Sequence, residues 1–461
     1  MTWRRLTRGP GSDEGSILVL SAFLMVLLFA AVAFAVDIAS KSQDRADLWA
    51  SSDAAALAGA SILPDDPVGA KAEALKFALA NDPGLAGKVD ATFRCVVGDR
   101  DGNGLPDPLD VPLSCNPGPP PPAAPTLSGF VCADGVCAAP CDPDLGHRCN
   151  TIVLETEKTT EFSFAPVIGI DSGDTRVISA ACRGICAGAL TEPVDLIMII
   201  DRTGSMGKGS KMSNARNAAL AVLDFFDPSL QHVGVAFLPA ADPFNLCASN
   251  ADQTSGGRWL AVGLSSDYKN APLDVDFDLD GVNDLTSTSR LVRTIRSSTP
   301  SGWTNLGSPI NDTAYGMPDA LRELTNNGRP GVKKGIIMLS DGEANRPLNR
   351  PDACLYAANM AQNAKNAGVE VFTIGFGVVG LTCKDPFETA ASPYLNRQVS
   401  RLLSDMASNN ADDNCAAPAI ENTDGDNFFC EPSGGSLAEV FLAAAAQLAG
   451  GSQLIQLPPG A

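Results

Sequence analysis

The strongest constraint on this chain is an apolar run that ends in an aspartate. Val194-Asp195-Leu196-Ile197-Met198-Ile199-Ile200 suits a strand buried on both faces of a sheet. The chain then turns through Asp201-Arg202-Thr203-Gly204-Ser205-Met206, so one carboxylate and two hydroxyls fall at alternate positions. Such oxygens are hard ligands, suited to Mg²⁺ or Ca²⁺ and poorly suited to zinc or copper. Two later segments carry residues that complete a set: Gly302-Trp303-Thr304-Asn305 and Ile336-Ile337-Met338-Leu339-Ser340-Asp341-Gly342.

From about residue 190 onward, strand-like and helix-like stretches alternate, which favours a mostly parallel sheet covered on both faces. The pattern predicts strands at 194–200, 232–238, 335–340 and 369–376, and helices at 211–226, 312–325, 352–367, 393–408 and 436–449. Gly328 and Gly368 sit where helix ends are expected. The stretches 240–300 and 378–435 break the rhythm, carry cysteines and read as insertions. In a doubly wound fold, ligands sit at the carboxyl ends of the strands, where Asp201 and Asp341 both fall.

In order and content the three motifs resemble the metal-ion-dependent adhesion site of von Willebrand factor type A domains, which reads D-x-S-x-S, then T, then D. The resemblance implies an α/β, Rossmann-like fold and a site for Mg²⁺ or Mn²⁺. It implies that Thr203 and Ser205 touch the ion, with Asp201 close by, directly or through water. Thr304 would bind directly in one conformation and through water in another, and Asp341 would act mainly through water. Few direct negative charges leave the ion electrophilic, so a partner protein's carboxylate supplies the last ligand. Thr203 replaces the usual serine and Trp303 stands where the family often has glycine; neither departure removes a ligand. The plainer alternative is that Asp201 and Asp341 only cap turns and helices. Asp201-Arg202-Thr203-Gly204-Ser205 also resembles the phosphorylation motif D-K-T-G-T of P-type ATPases, but arginine replaces lysine and a single apolar span cannot form an ion pump. The stretch from Gly204 to Lys211 never gives a phosphate-binding G-x-x-x-x-G-K-[ST] loop.

At 461 residues the chain has room for two or three domains. Its net charge of −20 argues against nucleic acid, or an anionic membrane surface, as the main partner. All thirteen cysteines lie beyond the N-terminal apolar segment, which fits disulfides made in an oxidising compartment. Cys132, Cys137 and Cys141 also offer a zinc reading, weakened by a chain with two histidines. Residues 17–36 are uncharged and of bilayer-spanning length, behind a basic tail at 1–16 that includes Arg4, Arg5 and Arg8. The expected topology is therefore single-pass, with the N-terminus cytoplasmic and the later domains periplasmic or extracellular. A cleaved signal peptide is the competing reading.

Beyond the span, Asp44-Arg45-Ala46-Asp47-Leu48-Trp49 and Ser52-Asp53-Ala54-Ala55-Ala56-Leu57-Ala58-Gly59-Ala60 continue one helix. This layout resembles the N-terminal segment of TadG-like proteins of the Tad (Flp) pilus assembly system. A helical stalk is expected over 37–84, with a second short helix at 64–80, then a small disulfide-stapled β module over 85–188 and a type A domain over 189–452. Strands are predicted at 151–156 and 175–180 in the β module.

Two acidic loops stand apart. Asp276, Asp278, Asp280 and Asp284 give D-x-D-x-D-G-x-x-D, and Asp99, Asp101, Asn103 and Asp107 give D-x-D-x-N-G-x-x-D. Both match the first half of an EF-hand loop without its final glutamate, and suggest Ca²⁺. The alternative is a solvated acidic turn. No Ser-His-Asp or Cys-His arrangement can be nominated, so the expectation is a non-enzyme. The sequence reads as an envelope-anchored, metal-dependent protein-binding or adhesion protein, linked to pilus assembly proteins. The rival is a structural envelope protein stiffened by calcium and disulfides, with a non-functional site at 201.

Overall fold

The computed structural model describes residues 14–64, 66–99, 103–106, 129–145, 147–184, 186, 192–241, 258–279, 281–347, 352–384, 386–409, 415–422, 426–431 and 437–461. The alanine- and leucine-rich N-terminal sequence forms one helix, α1 (Glu14–Ala60). Its first part leaves Leu20, Phe23, Val26 and Phe29 exposed, whereas Leu48, Ala55, Ala56 and Ala60 are buried against a sheet. Helix α2 (Pro67–Asn81) starts on Asp66, whose carboxylate accepts the Gly69 N–H, and has proline at its first position. It buries Ala70, Ala74 and Ala78, spaced to lie on one face. The two helices cross so closely that a Cβ at Gly59 would stand 2.9 Å from the Ala70 carbonyl oxygen.

The sheet beneath them is antiparallel: β1 (Val89–Gly98), β2 (Val131–Ala133), β3 (Val136–Cys141), β4 (Thr151–Glu161) and β5 (Ser172–Arg183). Disulfides Cys132–Cys137, Cys141–Cys149 and Cys182–Cys186 staple it. Cys132 and Cys137 face each other across the β2–β3 register and Cys141 pairs with Cys149, so these thiols do not make the zinc site that their spacing allowed.

The second sheet holds β6 (Val194–Asp201), β7 (Gln231–Ala241), β8 (Arg258–Ser265), β9 (Lys333–Ser340), β10 (Glu370–Phe376) and β11 (Phe428–Glu431). Their order is β11-β10-β9-β6-β7-β8, parallel throughout except that β8 runs antiparallel to β7. Every residue of β6 is buried, and its side chains alternate between two cores. Leu196, Met198 and Ile200 meet α3 (Lys211–Phe225), and Ile197 and Ile199 belong to the opposite core. Helices α4 (Arg290–Ser297) and α9 (Leu437–Ala449) complete the first layer; α5 (Ala320–Asn326), α6 (Ala353–Asn366) and α7 (Val399–Met406) form the second. A single turn, α8 (Pro418–Glu421), precedes β11, and disulfides Cys354–Cys383 and Cys415–Cys430 tie the loops on this side.

Four details differ from expectation, the first being that the helix expected at 393–408 is confined to Val399–Met406. The stretch 240–300 supplies the edge strand β8 and helix α4. The helix expected from 312 begins at Ala320, because the Asp312 carboxylate takes the N–H groups of Ala314, Tyr315 and Met317. Those bonds offer the backbone a turn in place of a helix, and Asp319 then caps α5 through the Arg322 N–H. Finally, the chain returns to the first sheet as β12 (Ser452–Ile455), paired with β5, so the parallel-sheet domain is inserted between two strands of the β module.

Candidate metal centre

The strand order reverses between β6 and β9: the chain leaves β6 toward β7 and later returns to lay β9 on its other side. A crevice opens at the carboxyl ends of strands at such a switch point. Asp201 ends β6 and Asp341 follows β9, so both carboxylates stand there.

Asp201 is fully buried and its orientation is over-determined. One oxygen accepts the Thr203 N–H at 2.8 Å; the other accepts the Ser340 hydroxyl at 2.8 Å and the Asp341 N–H at 3.3 Å. Burial, followed by the nearby Asp341 charge, pushes the Asp201 carboxyl up to about 6 against these hydrogen bonds. The Thr203 and Ser205 hydroxyls lie 2.9 Å apart, and the Ser205 hydroxyl donates to Asp341 Oδ1 at 2.5 Å. The Lys211 ammonium, at the start of α3, meets Asp341 Oδ2 at 2.7 Å and sits over the Phe376 ring at 5.3 Å.

Thr304 arrives on a separate loop. Its N–H donates to Asn345 Oδ1 at 3.0 Å, and the Asn345 N–H returns a bond to the Thr304 carbonyl at 3.0 Å. Gly204 N–H to the Gly302 carbonyl, at 3.2 Å, ties this loop to the 201–205 turn. Beside it the Arg346 guanidinium stacks over Trp303 at 4.5 Å. The absence of a side chain at Gly342 leaves a cradle: a Cβ there would stand 3.3 Å from Thr304 Oγ1 and 3.8 Å from Ser205 Oγ. Two carboxylates and three hydroxyls thus converge from three loops far apart in sequence, a donor set that fits a hard divalent cation. Asp201, Thr203, Ser205, Thr304 and Asp341 are all brought together. Sequence reasoning missed Lys211, Ser340 and Asn345; only Ser340, next to Asp341, carried a signal.

The acidic loops share a second geometry. In one, the Asp276 carboxylate accepts the N–H groups of Leu279 (2.7 Å) and Gly281 (3.1 Å). In the other, Asp99 accepts those of Asn103 (3.1 Å) and Gly104 (3.0 Å). The sixth-position glycines take φ of +95° and +79°, a conformation that side chains resist. Carboxylate oxygens of Asp276, Asp278 and Asp284 lie within 4.8 Å of one another. Asp280, Asp101 and Asp107 lie outside the described residues.

Compared with known families, residues 15–61 match the Flp pilus-assembly TadE/G-like family and residues 261–426 match the von Willebrand factor type A domain. The second match begins beyond the 201–205 turn, which the fold joins to it. No curated protein matches the chain. Similar solved structures include proximal thread matrix protein 1 from the mussel byssus, at 14% identity and a TM-score of 0.33, covering 58% of this chain and 48% of that one. The pilus adhesin SpaC from Lactobacillus rhamnosus GG follows at 14% and 0.36, covering 65% and 32%. The manganese-loaded TRAP protein of Plasmodium vivax gives 11% and 0.30, covering 66% and 84%. The chain thus spans about half the length of the mussel protein.

Proposed function

We propose, for a chain that joins a TadE/G-like segment to a von Willebrand type A domain, that it is an envelope protein anchored through α1 that binds protein partners in a metal-dependent way. The setting is pilus-linked adhesion or assembly, which the TadE/G-like match over 15–61 supports. The carrying observation is the convergence of Asp201, Thr203, Ser205, Thr304 and Asp341 at the switch point of the parallel sheet. Mg²⁺ or Mn²⁺ held there would supply an electrophilic centre for a partner's carboxylate. The chain's own groups prepare that site. Ser340 and the Thr203 N–H fix the Asp201 carboxylate, the paired Asn345 bonds set Thr304, and Lys211 neutralises part of the charge on Asp341. Trp303, half exposed and stacked on Arg346, forms a rim beside the cradle.

A second reading rests on the Asp276, Asp278 and Asp284 cluster: calcium there serves the fold alone. Thermal unfolding of the full-length protein in detergent, in EDTA, Mg²⁺, Mn²⁺ or Ca²⁺, separates the two. A cation that binds only the native state at a hundredfold excess over its dissociation constant adds about 2.7 kcal/mol. The adhesion-type reading expects Mg²⁺ or Mn²⁺ to stabilise the unsubstituted protein and Asp276→Ala, but not Asp201→Ala. A response to Ca²⁺ alone, lost in Asp276→Ala and kept in Asp201→Ala, would replace it with the structural reading.

A further inference from the structure

The connection between β4 and β5 ends in an apolar tip. Phe164, Val167, Ile168 and Ile170 are 47%, 89%, 59% and 48% exposed, four large apolar side chains within seven residues. The chain spends polar anchoring on this tip. The carboxylate of Asp37, itself 4% exposed, accepts the N–H groups of Ser163 (2.9 Å), Phe164 (3.0 Å) and Ala165 (2.7 Å). These bonds fix the short helical turn Ala165–Ile168 to α1 one residue beyond the apolar span 17–36. The tip therefore lies against the span. Phe164, Val167 and Ile168 line an open groove of about 500 Å³ with Val26, Phe29 and Phe34 of α1. Val26 stands about 15 Å along the helix from Val36, near the middle of a hydrocarbon core of about 30 Å. On the other side of the tip, Lys41 and Arg45, about 8 and 14 Å along the helix beyond Val36, line the neighbouring groove with Phe162 and Ile170.

We propose that the β4–β5 tip inserts into the non-cytoplasmic leaflet beside α1, so that acyl chains fill the groove and the first sheet is held upright on the bilayer. The inference rests on the reading that α1 spans the membrane. The occupant follows from continuity: the groove's second wall is the lipid-facing surface of the span, and exposed apolar patches of this kind mark contact surfaces. Basic groups above and apolar groups below reproduce the polarity gradient of a bilayer interface. The Asp37 bonds remove the freedom that a loop would otherwise lose on insertion.

The test uses full-length protein in nanodiscs of phosphatidylethanolamine and phosphatidylglycerol. Val167→Cys, Phe23→Cys and Ile178→Cys are each labelled with an NBD fluorophore under non-reducing conditions, with the unsubstituted protein as background. Ile178, 61% exposed on β5, serves as the water-facing reference. We expect NBD at 167 and at 23 to shift to the blue and to lose emission to nitroxide-bearing lipids, whereas iodide quenches only position 178. Lipid quenching at 23 with iodide quenching at 167 would leave the span standing and overturn the docking. Iodide quenching at 23 would remove the span itself, and the proposal with it. Shielding of 167 from both quenchers would mean that protein covers the tip, which also overturns lipid insertion. Ile168→Cys repeats the reading should the first variant misfold.

Discussion

Gly342→Ala separates the metal centre from the fold that carries it. Gly342 does not adopt a positive φ, so alanine meets no backbone strain there. The added methyl would stand 3.3 Å from Thr304 Oγ1 and 3.8 Å from Ser205 Oγ. The first contact is tight by a few tenths of an ångström, a cost of about 1 kcal/mol in the metal-free protein. The same methyl fills the space that both hydroxyls face. Tenfold weaker binding is a conservative expectation for a methyl placed among the donors. At a Mg²⁺ concentration one hundred times the wild-type dissociation constant, stabilisation would fall from about 2.7 to about 1.4 kcal/mol. Titration calorimetry of the full-length protein in detergent measures the affinity, and thermal unfolding in EDTA measures the fold. An unchanged Mg²⁺ affinity would refute the cradle as the cation's place. A large drop of the EDTA midpoint would instead make Gly342 a packing residue.

Lys211→Met removes the ammonium 2.7 Å from Asp341 Oδ2 and should tighten Mg²⁺ binding about tenfold by calorimetry, the effect being limited by partial solvent screening of that lysine. Arg329→Met leaves the buried Asp195 carboxylate without the guanidinium that meets it at 2.7 Å, and should lower stability by about 3 kcal/mol in urea unfolding, with no change in Mg²⁺ affinity. Gly59→Ala sets two effects against each other. Helix propensity favours alanine by about 1 kcal/mol, but its Cβ would lie 2.9 Å from the Ala70 carbonyl and 3.0 Å from Ala74 Cβ. Neither neighbour is a flexible side-chain end, so we expect a net loss of about 1 kcal/mol or more, read as a lower thermal midpoint.

What the sequence disclosed was what depends on local pattern. The apolar run 194–200 read as a doubly covered strand because burial on both faces removes alternation, and it is buried throughout. The acidic turn after it and Asp341 were legible because a parallel sheet delivers its strand ends to one edge, whereas Thr304, on the loop between α4 and α5, was named only through the resemblance to type A domains. Features made by long-range pairing left little trace. The short strand Ser452–Ile455 joins β5 across the whole inserted domain, and nothing within its four residues marks a partner. Lys211 reads as an ordinary first-turn lysine until α3 is docked and sets it against Asp341. Asp37 shows the difference most sharply. In sequence it is the charge that ends an apolar span, a boundary explained by hydropathy alone. In the fold its carboxylate gathers three N–H groups from a hairpin more than a hundred residues away, and so ties the first sheet to the end of the apolar segment. An aspartate that only ended the span would be replaceable by asparagine or lysine at little cost. One that holds the tip would not be replaceable by lysine, which offers no acceptor to those three donors, and asparagine would keep only one of the two accepting oxygens.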